Sequence, residues 1–146
     1  MEWDDTSLRI TAPGRLGRIK SVRTMPYPGF PTDAQPPLMA AACLGSGPSI
    51  FVETIFESRY KHVGELLRLG ANIKVEGRVA VVEGVPRLSG APVEAADLRG
   101  GAALVVAGLA ARGLTEVTGL RHIDRGYENL ERSLAQLGAD ICREYE

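Results

Sequence analysis

Asp33 sits in the stretch YPGFPTDAQ (27–35), where two prolines and a glycine restrict the backbone leading to a carboxylate. An apolar run, PLMAAACLG, follows directly. Such an acid is either an ordinary helix cap or a piece of chemistry. A second acid, Asp97 in DLRGG (97–101), opens another apolar run. Each acid is followed by an arginine 26 or 28 residues later (59−33, 125−97): Arg59 in FESRYKHV and Arg125 in HIDRGYEN. Arg99 adds a third cation. With Ser58 and Asp124 as N-caps, Arg59 and Arg125 fall in first helical turns, where a cation is disfavoured by roughly 0.3–1 kcal/mol. Either each guanidinium swings into solvent or pairs with Glu57 or Asp124, or helix amides and arginines converge on a phosphate or carboxylate.

The elements that must position these side chains come in duplicate. VGELLRLGANIKV (63–75) and NLERSLAQLGADICR (129–143) share an apolar helix face followed by L-G-A-x-I. Upstream, AAACLGSGPSIFV (40–52) is similar to VVAGLAARGLTEV (105–117). The repeat units run approximately over 30–84 and 94–144, within a single lobe spanning 1–146. Periodicity predicts a helix at about 34–45, a strand at 49–54, a helix at 59–69 and a hairpin over 72–84 turning near Gly77. A short strand follows within 86–95. The second unit predicts a helix over 98–111, a strand at 114–119, a helix over 125–137 and a strand at 139–144. Gly70 and Gly138 stand where C-terminal caps belong. The fold class is α/β, built by duplication.

Composition bounds the function. The chain has 146 residues, 45% hydrophobic and 24% charged, with a net charge of −1. That is one domain's worth of a globular protein, with no basic footprint for nucleic acid and no excess for a membrane surface. No apolar stretch approaches the roughly 20 residues of a membrane span, and the start MEWDDTSLRI lacks a signal pattern. A reduced, cytoplasmic setting is the default expectation. Cys43 and Cys142 form neither a metal spacing nor a disulfide framework, and Cys43 reads as core packing. His62 and His122 have no partner at ligand spacing, so no metal is expected.

Taken together, PYPGFPTDAQ, ETIFESRYKHVGELLRLGA, LSGAPVEAADLRGGAALVVAGLAARG and HIDRGYENLERSLAQLGADI resemble one family. It is the UDP-N-acetylglucosamine 1-carboxyvinyltransferases, enolpyruvyl transferases of early peptidoglycan synthesis. The ordered set FPTD, ESR, DLR, HIDRGYE carries the resemblance over nearly the whole chain. It implies an inside-out lobe of repeated α/β units, helices inside and sheets outside, with substrates held between two lobes and no cofactor. The implied reaction is attack of the sugar 3-hydroxyl of UDP-N-acetylglucosamine on C2 of phosphoenolpyruvate, then protonation of C3 and loss of phosphate. By resemblance, Asp33 is the carboxylate beside the 3-hydroxyl and its base, and Ile55 makes a main-chain contact to the UDP-sugar. Arg59, Arg99 and Arg125 fall on cleft arginines, Arg125 holding the phosphate or carboxylate of phosphoenolpyruvate; Asp97 lies near the reacting centre.

The chain also departs from the family pattern. About two of a lobe's three units are visible, as for a C-terminal portion. Neither Cys43 nor Cys142 lies in the motif of the family's loop cysteine, and the lysine–asparagine pair that also grips phosphoenolpyruvate is missing. Activity of the chain by itself is therefore not expected, whereas self-association or pairing with the missing portion is. Two rivals stand beside this reading: another transferase of the fold, such as the shikimate-pathway enzyme, and a non-catalytic ligand-binding or assembly lobe that needs a partner chain.

Overall fold

A computed structural model describes residues 2–12 and 14–145. The chain opens with a small antiparallel hairpin, Glu2–Trp3 (β1) and Leu8–Arg9 (β2), whose turn is held by Asp4 Oδ1 accepting from the Thr6 and Ser7 amides. There follow Ser21–Arg23 (β3), Gln35–Ala42 (α1), Ser49–Val52 (β4), Val63–Arg68 (α2), Asn72–Glu76 (β5) and Val79–Glu83 (β6). Leu88–Ser89 (β7), Pro92–Glu94 (β8), Leu98–Ala110 (α3), Ala111–Arg112 (β9), Glu116–Thr118 (β10), Arg121–Asp124 (α4) and Leu130–Gln136 (α5) complete it.

Two β–α–β units organise the chain. In the first, β3 and β4 pair in parallel around α1; in the second, β8 and β10 pair in parallel around α3. The first sheet extends to four strands in the order β3-β4-β6-β5, where β5 and β6 form the hairpin turning at Gly77, whose φ of +56° suits the missing Cβ. Alternation along these strands sends Phe51, Ile73, Ala80 and Val82 into the core, while Ile50, Lys74 and Glu76 face outward. Helices α1 and α3 lie together beneath that face. Ala40 and Ala42 of α1, with Ala103 and Ala107 of α3, are small enough for close approach. Met39, Leu66, Leu69 and Leu104 fill the space between helices and sheet, each fully buried and each worth roughly 1.5–3 kcal/mol. Helices inside and sheet outside is thus the observed layering.

Five local expectations are corrected. The helix expected at 59–69 starts only at Val63, and Arg59 lies in the turns before it. The helix expected over 125–137 forms only as α5, from Leu130: residues 125–129 are turns ending at Asn129 with φ 47°, and the short α4 stops at Asp124 before them. Arg125 is the C-cap of α4, where the macrodipole favours a cation, so the anticipated penalty does not arise. Nor are Ser58 and Asp124 caps: the N-cap positions are His62 for α2, Leu120 for α4 and Asn129 for α5. Residues 139–145 form no strand. The apolar pattern there satisfies a packing need instead, since Ile141 rests on the small cluster around Ala95, Val105 and Ile123.

Candidate functional site

The loop that delivers Asp33 closes on itself. Met25 donates its amide to the Phe30 carbonyl at 3.0 Å and Gly29 donates to Pro26 at 2.8 Å. A tight 3-10 turn over Thr32–Ala34 then leads into α1, whose first turn holds Pro36 and Pro37, residues without an N–H to satisfy. No side chain caps either the turn or α1, so Asp33 is not a cap. Its carboxylate is bound elsewhere. Oδ1 accepts from Arg59 Nη2 at 2.7 Å and Oδ2 from Arg99 Nη2 at 2.8 Å.

Each arginine is itself oriented. Arg59 is largely buried, with its guanidinium 5.1 Å from the centre of the Phe56 ring. Arg99 leaves the first turn of α3, donates to the Tyr127 hydroxyl at 2.9 Å and lies 5.5 Å from that ring's centre. The Arg99 hydrogen bond above all, with Arg59 beside it, holds the Asp33 carboxyl below the ordinary carboxylate range although partial burial pushes the other way. The alternative partners of the arginines are taken: Glu57 pairs with Arg78 at 3.4 Å and Asp124 with Arg143 at 2.5 Å.

The other singled-out residues divide. Asp97 is the ordinary cap of α3, its Oδ1 accepting from the Gly100 amide at 2.7 Å. It stands two positions before Arg99, so it borders the cluster without joining its ion pairs. Arg125 is exposed, makes no ion pair among the described residues, and stands two positions before Tyr127. The Ile55 amide donates to Glu53 at 2.7 Å, which leaves its carbonyl as the main-chain group on offer. The structure therefore brings Asp33, Arg59 and Arg99 into one ionic cluster drawn from both β–α–β units.

Two members were not singled out by spacing. Tyr127 lies within HIDRGYE, but its role needs the fold that carries it to Arg99. Glu53 is 1% exposed and accepts four hydrogen bonds beneath the cluster. The one available sign was an acid closing the apolar run SIFV. Cys43 is fully buried and burial pushes its thiol up to about 12, so it is inert core packing. Among the described residues no group of three or more His, Cys, Asp or Glu is placed to hold a metal ion, and no helix is long and apolar enough to cross a membrane. A broad concavity on the outer face of β5 and β6, lined by residues such as Asn72, Lys74 and Val81, includes none of the cluster.

The family model described as EPSP synthase (3-phosphoshikimate 1-carboxyvinyltransferase) matches residues 1–134. The chain belongs to this family. Within this carboxyvinyltransferase family, it is 59% identical over 140 residues to the UDP-N-acetylglucosamine 1-carboxyvinyltransferase of Anaeromyxobacter sp. (strain Fw109-5), covering 96% of this chain and 33% of that protein. The protein of the same name from Anaeromyxobacter sp. (strain K) is 60% identical over 136 residues, covering 93% of this chain and 32% of its own length. The chain spans about a third of the length of the curated relatives it matches. Among solved structures, the enolpyruvyl transferase NikO from Streptomyces tendae superposes with a TM-score of 0.79 at 33% identity, covering 88% of this chain and 30% of that one. The fold is that of an enolpyruvyl transferase lobe.

Proposed function

We propose that this chain carries the acid-and-arginine part of the active site of a UDP-N-acetylglucosamine 1-carboxyvinyltransferase. The reaction is transfer of the enolpyruvyl group from phosphoenolpyruvate to the sugar 3-hydroxyl, an early cytoplasmic step of peptidoglycan synthesis on which cell shape and division depend. The observation that carries the reading is the Asp33 carboxylate held between Arg59 and Arg99 on an exposed turn rather than spent on a cap. Relatives at 59–60% identity bear the activity's name, which favours it over the shikimate-type transferase.

The roles follow from the chemistry. Without ligand, Asp33 pairs with both guanidiniums and offsets one of their two charges, and a carboxyl held below its ordinary range is a weak base. An anionic ligand competes for the same guanidiniums. Once it takes them, Asp33 regains basicity beside the 3-hydroxyl, where a positioned general base contributes roughly 10²–10⁴-fold. Arg125, exposed and without a counter-ion among the described residues, would clamp the phosphate or carboxylate of phosphoenolpyruvate, and Arg59 and Arg99 would hold the remaining negative charge. Asp97 and the Ile55 carbonyl would border the sugar. The chain is a partial lobe whose repeat units arose by duplication, and it is expected to bind substrates more readily than to turn them over, self-associating or pairing with the rest of the enzyme.

Calorimetric titration of the folded chain with UDP-N-acetylglucosamine and with phosphoenolpyruvate tests this. Both are expected to bind weakly. Arg125→Ala is expected to cost phosphoenolpyruvate tenfold or more, and substitution of the remote Arg87 nothing. Equal loss from both substitutions, or no binding to the folded chain, would reject the assignment.

A further inference from the structure

We propose that Glu53 is a positioning residue for this site, holding with one buried carboxylate both the turn that carries Asp33 and the turn that leads into Arg59. The proposal rests on the reading of the Asp33 cluster given above. Glu53 follows β4 and is 1% exposed, yet among the described residues no lysine or arginine is paired with it. A buried, unpaired carboxylate is costly unless donors replace its water. Four do. Oε1 accepts from the Thr24 hydroxyl at 2.9 Å and from the amides of Ile55 at 2.7 Å and Phe56 at 3.1 Å; Oε2 accepts from the Thr32 hydroxyl at 2.9 Å. Burial pushes its carboxyl up, and these donors together outweigh that and hold it below the ordinary range.

The donors are not spread over the fold. Thr32 is the residue before Asp33. Phe56 is the residue whose ring lies under the Arg59 guanidinium. Thr24 begins the proline loop ending at Asp33, and its hydroxyl accepts from the Thr54 amide at 2.9 Å while donating to Glu53. One side chain therefore fixes the distance between the two backbone segments whose side chains form the 2.7 Å Asp33–Arg59 pair. Since hydrogen bonds to an ionised acceptor are about twice as strong as neutral ones, the negative charge stiffens all four contacts at once. A residue needed only to fill this space would have no reason to be an acid.

The test follows the Asp33 carboxyl by carbon NMR titration in wild type, Glu53→Gln and Thr32→Val, with thermal unfolding recorded for each. Glu53→Gln keeps the size and removes the charge; Thr32→Val removes one donor on the Asp33 side and guards against a Glu53→Gln protein that does not fold. In folded Glu53→Gln the Asp33 titration is expected to move up toward the ordinary carboxylate range while the other carboxyls keep theirs. Thr32→Val is expected to give a smaller shift in the same direction. A variant that melts earlier but leaves the Asp33 titration where it is in wild type would overturn the proposal, making Glu53 a support of the fold alone. Wild-type Asp33 titrating in the ordinary range would overturn it as well. No substrate enters this measurement, so it can fail while UDP-N-acetylglucosamine still binds, and succeed when it does not.

Discussion

Two acids at matching places in a repeat do different work. Asp97 spends its Oδ1 on the Gly100 amide, whereas Asp33 has no amide to serve, because Pro36 and Pro37 stand where α1 would present donors. The freed carboxylate takes two arginines. Its side chain is 55% exposed, so each pair stabilises the fold by no more than about 1 kcal/mol. Its larger effect is on ligand competition. Removing the charge leaves both guanidiniums open, so Asp33→Asn is expected to bind inorganic phosphate roughly two- to fivefold more tightly than wild type, matching the strength of exposed pairs. Phosphate titration by chemical shift checks this, and weaker binding in Asp33→Asn would mean that the acid organises the arginines rather than competing for them. Arg99 stood out only as a further cation beside Asp97, whereas spacing alone exposed Asp33 and Arg59 because the acid-then-arginine pattern recurs along the chain. It could not pair Asp33 with Arg99, 66 positions away, nor reveal Glu53, whose importance lies in four donors gathered by tertiary structure.

The elements were legible where periodicity was long and illegible where it was short. Helix α3, with a capping acid and 13 residues of apolar and small side chains, forms over Leu98–Ala110 as its pattern predicts. The 125–137 segment has the apolar face of one helix, but turns occupy 125–129, ending at the left-handed Asn129, and the helix begins only at Leu130. Tertiary packing decides such cases, and it separates glycines of like helical position. Gly101 of α3 has no room: a Cβ there would come within 2.6 Å of Ile123 Cγ1 and 3.0 Å of Ala95 Cβ. Gly64 of α2 is exposed, with nothing within 4 Å of an added Cβ. Gly101→Ala is thus expected to destabilise the chain by roughly 1–3 kcal/mol through overpacking, and Gly64→Ala to stabilise it by roughly 0.5–1 kcal/mol. Denaturant unfolding of the two variants measures both signs. Both β–α–β units place a helix between strands paired in parallel, and residues 139–145 add no strand to the second.

At the scale of the whole molecule, the first loss of stability on acidification is expected from a residue outside the ionic cluster. His62 is 3% exposed, packs with its Cβ 3.0 Å from where a Cβ on Gly100 would lie, and has no hydrogen-bond partner on either ring nitrogen among the described residues. Burial pushes its pKa down to about 4, with the Asp97 charge opposing that shift and the Arg59 charge adding to it. The unfolded chain binds this proton first, so stability is full above the unfolded value of about 6.5 and falls as pH drops toward 4, by up to roughly 3 kcal/mol. The depressed carboxyls of Asp33 and Glu53 add their loss only lower, as pH falls from the ordinary carboxylate range through their folded values. His62→Leu is expected to flatten the loss between pH 6.5 and 4, as read from unfolding free energy against pH; an unchanged slope would assign that loss to other groups. Self-association has its own reporter: Trp3, the single tryptophan, is 76% exposed in the hairpin arm near Leu8 and Ile10. If chains associate through that arm, its emission is expected to shift to the blue with rising concentration; emission independent of concentration would exclude the arm. The ionic cluster has a kinetic consequence too. A chain of net charge −1 concentrates two guanidiniums on one carboxylate, so its local surplus is positive where its total is negative. Attraction of a phosphorylated molecule to this surplus reaches about one Debye length, about 10 Å at 0.1 M salt, and is screened beyond it. Adding salt shortens that reach, so capture rates are expected to fall as ionic strength rises.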